Sequence, residues 1–82
     1  MSDWTDDQDL TTLRVTAASI RQRMGDAAAS IAETEEWIAD TLDRLACARP
    51  HDAARLRSRA AHARDFAAQQ RARAAAYGAG RS

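Results

Sequence analysis

The sequence predicts an all-α fold. It reads as a two-helix antiparallel hairpin with a long helix over about 5–48, a turn at 49–52 and a second helix over about 53–77. The expected assembly is a dimeric helical bundle. Three observations carry this reading. A seven-residue apolar repeat runs through the first half of the chain. A single proline, Pro50, breaks that repeat out of phase. The composition is also wrong for a sheet: 21 of 82 residues are Ala, and β-branched runs and turn residues are scarce. Only ten positions are Leu, Ile, Val or Phe, about 12% against the ~20% below which a globular core is thin. With 12 Arg, no Lys and 12 acidic residues, the chain is formally neutral, so the charge excess that drives disorder is missing.

In the first helix, Leu10, Leu13, Ala17, Ile20, Met24, Ala27, Ile31, Thr34, Ile38, Thr41, Leu45 and Ala48 alternate by three and four. They occupy positions a and d of a coiled-coil heptad. Thr5 is the expected N-cap, with Gln8 completing a capping box. Asp6, Asp7 and Asp9 then sit where negative charge suits the helix dipole. Gly25 falls at position b, off the stripe, and the repeat holds its phase through it. One helix on the order of 65 Å long is expected at ~1.5 Å per residue. A break at Gly25-Asp26 is the alternative.

Pro50 ends this helix, because its ring disfavours helical geometry at Arg49 and removes a donor. Of His51 and Asp52, Asp52 is the better capping residue for the second helix. A second stripe runs Ala53, Leu56, Ala60, Ala63, Ala67, Gln70, Ala74, Tyr77. The step from Ala48 to Ala53 is five. A continuous helix would therefore turn Asp52 and Arg55 onto the apolar seam, so a tight hairpin is expected. Residues 78–82 read as a frayed tail.

Charge agrees with the hairpin. Residues 1–50 hold five Arg and ten acids, and residues 51–82 hold seven Arg and two acids. Exposed pairs contribute little individually, so the asymmetry selects orientation more than it stabilises. With a turn at 49–51, facing residue numbers should sum to about 101. That pairs Leu45 with Leu56, Ile38 with Ala63, Ile31 with Gln70 and Met24 with Tyr77. Beside the seam, Glu35 should meet Arg64 and Trp37 should meet Phe66. Gln70 should find a partner such as Thr34 or lie open to water. Ala along the second helix allows close approach, near the lower limit of about 8 Å between axes.

The second helix is too short to reach the start of the first, which leaves Leu10, Leu13, Val15, Ala17 and Ile20 uncovered. Such a stripe is not normally left in water. A second copy, a larger protein, or a fold-back at Gly25 into three helices would cover it. Arg14 and Arg21 flank the stripe at position e and Arg23 at position g. Antiparallel pairing of two first helices would set the acidic start of one near Arg21 and Arg23 of its mate. The expected protein-binding residues are Leu10, Leu13, Ala17, Ile20 and Met24.

Catalytic, cofactor and metal sites are not expected. A two-helix hairpin has little room for a pocket. His51 and His62 lack a Glu three residues before them, so the Glu-x-x-His pairs of metal-binding bundles are missing. Glu33, Glu35 and Glu36 read as a solvated face. Cys47 has no neighbouring His or Cys, and as a lone thiol it suits a reducing, cytoplasmic setting. The acidic start lacks the pattern of a signal peptide, and no apolar run approaches the ~18 residues of a membrane span. Secreted helical hairpins with Trp-x-Gly in their turn do not match, since Trp37-Ile38-Ala39 lies inside the first helix and the turn reads Arg49-Pro50-His51. The expected function is that of a non-enzymatic interaction or oligomerisation module. The alternative is an accessory nucleic-acid-binding or regulatory protein using Arg55, Arg57, Arg59, Arg64, Arg71 and Arg73, since Arg suits phosphate and base contacts.

Overall fold

In a computed structural model, which describes residues 3–79 and their side chains from residue 7 onward, the chain forms two helices joined by one turn of 3-10 helix. Helix α1 spans Asp3–Ala48 and α2 spans Ala53–Ala79, with Pro50–Asp52 between them. The helices pack side by side, so the molecule is a rod of 73 × 15 × 14 Å. Its radius of gyration is 20.4 Å. A compact chain of this length would have about 12 Å. Little of the surface is withdrawn from water, and the core is correspondingly thin.

The turn arises at Pro50. Arg49 leaves the helix at φ −130°, its N–H still bonded to the Leu45 carbonyl at 2.9 Å. The Asp52 N–H then donates to the Arg49 carbonyl at 3.0 Å, and the Ala53 N–H to that of Pro50. Backbone bonds thus satisfy the entry to α2. The expected side-chain cap is not used: the Asp52 carboxylate faces Arg55 at 3.6 Å instead. Two other boundaries move. Helix α1 begins two residues before Thr5, which lies inside it and is not the N-cap. Helix α2 continues through Gly78 and Ala79, so the tail is shorter than expected, and residues 80–82 lie outside the described residues.

Helix α1 is unbroken at Gly25, which removes the fold-back into three helices. The seam on α2 is the one expected: Leu56, Ala60, Ala63, Ala67 and Gln70 are buried, with Ala74 and Tyr77 half-buried. The seam on α1 is not. Gly25, Ala28, Ala32, Ala39 and Ala46 are buried, one residue further along than the predicted stripe. Ala39 packs on Ala60 and Ala63, with Leu42 against them. One residue is ~100° of helix rotation. The large side chains Met24, Ile31, Ile38 and Leu45 therefore flank the contact. The physical reason is size: Ala and Gly facing an Ala-rich helix let the backbones approach, whereas a central Ile would hold them apart. Met24, Ile31 and Ile38 keep their expected heights, bordering grooves with Tyr77, Gln70 and Ala63 respectively, but reach them from the edge.

Candidate protein-binding face

The rotation of α1 gives the hairpin two unlike faces. On one, acids of α1 meet Arg of α2. Arg64 donates through Nη2 to Asp40 Oδ1 at 3.1 Å and to Asp43 Oδ2 at 2.6 Å. Arg71 grips Glu36 with both Nε, at 2.9 Å, and Nη2. That fork holds the Glu36 carboxyl below its ordinary value, chiefly through the hydrogen bond, with desolvation opposing and charge adding a smaller downward pull. The two Arg move the other way, upward, because hydrogen bonds to the same acids favour their charged form. Arg64 thus pairs with Asp40 and Asp43, not with Glu35 as expected. Glu35 lies on the other flank, in a groove with Ile38, Leu42, Arg59, His62, Ala63 and Phe66.

The other face is apolar along α1. Met24, Ile31, Ile38 and Leu45 lie on it, joined from α2 by Phe66 and Tyr77. Phe66 is exposed and does not meet Trp37. Two residues before Ala39, Trp37 lies about 160° round α1 from the seam at ~100° per residue. It is 64% exposed and borders a shallow surface with Ser30, Glu33 and Thr34 of its own helix. Gln70 is buried at the edge of the groove lined by Met24, Ala28, Ile31 and Tyr77. Among the described residues nothing hydrogen-bonds its amide. The hydroxyl of Thr34 donates instead to the Ser30 carbonyl, at 3.1 Å.

From about residue 20 toward its start, α1 has no neighbour among the described residues. This half carries the expected binding residues. Leu10 and Ile20 are 50% exposed and Leu13 is 64% exposed. Ala17 is half-buried, and Met24 is exposed where α2 ends. Val15 is equally open but lies two residues, about 160°, from Leu13, on the opposite side of the helix. Leu10, Leu13, Ala17, Ile20 and Met24 therefore form one stripe, in line with Ile31 and Ile38. Sequence reasoning found its N-terminal part and missed that Ile31 and Phe66 extend the apolar face. The offset of Gly25 and the Ala heptad from the large heptad was the available signal.

The six Arg of the alternative site divide. Arg55, Arg64 and Arg71 are ion-paired within the chain. Arg57, Arg59 and Arg73 form no ion pair among the described residues, with Arg59 and Arg73 beside the apolar face. Among the described residues, no three His, Cys, Asp or Glu come together in a way that could hold a metal ion. No described helix is long and apolar enough to cross a membrane. Cys47 is exposed and free.

The fold and its uncovered face define a small all-α helical hairpin. No protein-family model matches the chain, and no curated protein or solved structure resembles it at a significant level.

Proposed function

We propose that this chain is a non-enzymatic, cytoplasmic protein-protein interaction module. It acts through the apolar stripe of α1, centred on Leu10, Leu13, Ala17, Ile20 and Met24, by self-association or by docking on a larger protein. The observation that carries the reading is the exposure of Leu10, Leu13 and Ile20 on a stretch of α1 with no neighbour among the described residues. Each large aliphatic side chain withdrawn from water contributes about 1.5–3 kcal/mol. Three in line are a substantial loss to a chain whose own core is mostly Ala.

Nucleic-acid binding is the weaker reading, because Arg55, Arg64 and Arg71 already neutralise acids of the same chain. It requires an affinity that falls steeply with salt, which an apolar interface does not show. The deciding experiment is the double replacement Leu13→Asp and Ile20→Asp, with helicity and association measured together. Association should be lost while helicity is kept, since both side chains are exposed in the hairpin. A variant that associates as the parent does would remove the stripe as the functional surface.

A further inference from the structure

We propose that the stripe is occupied by a second copy of this chain, antiparallel to the first and centred on residue 15, so that facing residue numbers sum to 30. This rests on the stripe being a binding surface and adds its partner and register. The boundaries of the free segment come first. Toward the start, the heptad positions before Leu10 are Asp6 and Asp3, so the apolar seam stops there. Toward the turn, Tyr77 already packs on Gly25. The segment open to a partner therefore runs from about residue 6 to 24. An antiparallel pair centred on residue 15 overlaps over that same segment.

In this register Leu10 faces Ile20 of the second copy and Leu13 faces Ala17. The two-fold axis repeats both contacts, as an isologous interface requires. Large and small residues alternate across Leu13 and Ala17, so the layers interdigitate.

Charge then selects this register. Positions e and g flank the seam. Because e flanks e and g flanks g in an antiparallel pair, Asp7 lies beside Arg21 of the second copy and Asp9 beside Arg23, each within a turn of the directly facing position and each twice. Thr16 meets its own counterpart at the axis, and so does Arg14, the one like-charged contact. Sliding one heptad, to a sum of 37, sets Arg14 against Arg21 twice. A parallel pair gains only Asp9 with Arg14 and brings both acidic starts together. The order of acids and then Arg along this stripe is thus complementary to itself read backwards.

The monomer leaves these charges available. Asp7, Asp9, Arg14, Arg21 and Arg23 form no ion pair among the described residues. Arg21 is half-buried where α2 ends, its Nε enclosed and without an acceptor.

The test uses the full chain. Sedimentation equilibrium should give twice the chain mass of 9.0 kDa. Arg21→Asp with Arg23→Asp should weaken the dimer about tenfold or more, since four exposed attractions become repulsions. Adding Asp7→Arg and Asp9→Arg to the same chain should restore it, with circular dichroism confirming that each variant stays helical. In a Cys47→Ser background, Thr16→Cys should form a disulfide dimer under mild oxidation. Asp9→Cys should cross-link to Arg23→Cys and not to itself, because its own counterpart is about 18 Å away along the helix. A parent that remains monomeric at all concentrations overturns the second copy and leaves the stripe to a larger protein. Self-cross-linking of Asp9→Cys, or failure of the fourfold swap to restore the dimer, overturns the antiparallel register. A dimer that survives Leu13→Asp with Ile20→Asp overturns both this proposal and the reading of the stripe.

Discussion

Gly25 of α1 packs directly on Tyr77 of α2. A Cβ placed on Gly25 would lie 3.5 Å from the Tyr77 Cβ and 3.8 Å from the Ala74 carbonyl oxygen, ordinary contact distances. The glycine is in helical geometry, with no positive φ. It therefore carries the entropic cost of Gly in a helix without using its freedom. Gly25→Ala should stabilise the chain by about 1 kcal/mol from helix propensity alone. A rise in Tm of about 4–8 °C is expected for a domain of this size. A fall would mean that the helices are closer at this point than the contact distances allow.

Trp37→Ala separates the observed α1 face from the one expected. With Trp37 paired to Phe66 and buried, truncation would cost about 3–5 kcal/mol. In the structure the indole is largely exposed and faces away from α2. The cost should then be about 0.5 kcal/mol or less, as for other surface positions. Chemical denaturation of the variant distinguishes the two values easily.

The same residues show how much of the fold is legible in the sequence. Helix α2 is legible because Pro50 and the five-residue step fix its start, and because its stripe has one candidate face. The overall register comes within one residue for the same reason. On α1 two heptads compete, one of large residues at 31, 38 and 45 and one of small residues at 32, 39 and 46. Weighting by hydrophobicity selects the large set. Packing against an Ala surface selects the small set, since close approach matters more there than the size of the buried side chain. Periodicity cannot register that preference, because it lies in the partner helix. The uncovered N-terminal stripe is legible from length alone: α2 is simply too short.

Gln70 is the one buried polar side chain of the seam, and its amide has no partner among the described residues. A buried amide without a hydrogen bond costs roughly 1–3 kcal/mol on protein scales, less where water reaches it. Gln70 borders an open groove and its amide atoms are not enclosed, so water reaches them and the cost falls below that range. Gln70→Leu should raise stability by up to about 1 kcal/mol and, because polar seam residues fix alignment, should loosen the pairing of the helices. Lower stability, or unchanged exchange protection along α2, would contradict this assignment.

Acid should weaken the hairpin, and the sign comes from Glu36. Its folded-state pKa lies below the ordinary 4.5, held there first by the hydrogen bond from Arg71. A depressed carboxyl contributes stability that is fully present above its unfolded value and is lost as pH falls through the folded one. Arg71 and Arg64 are shifted upward, so their contribution is lost only in strong alkali, outside any useful range. The accessible window is therefore below about pH 4.5. There Glu36 neutralises while Arg71 stays charged, so the attraction between the two helices at this pair is lost. Thermal unfolding between about pH 7 and pH 3 should show a falling midpoint, steepest below 4.5. In Glu36→Gln the fall should be shallower, because one linked proton is gone, while the midpoint at neutral pH drops only slightly, the pair being exposed. Equal pH slopes in parent and variant would mean that the Arg71 fork does not persist in solution.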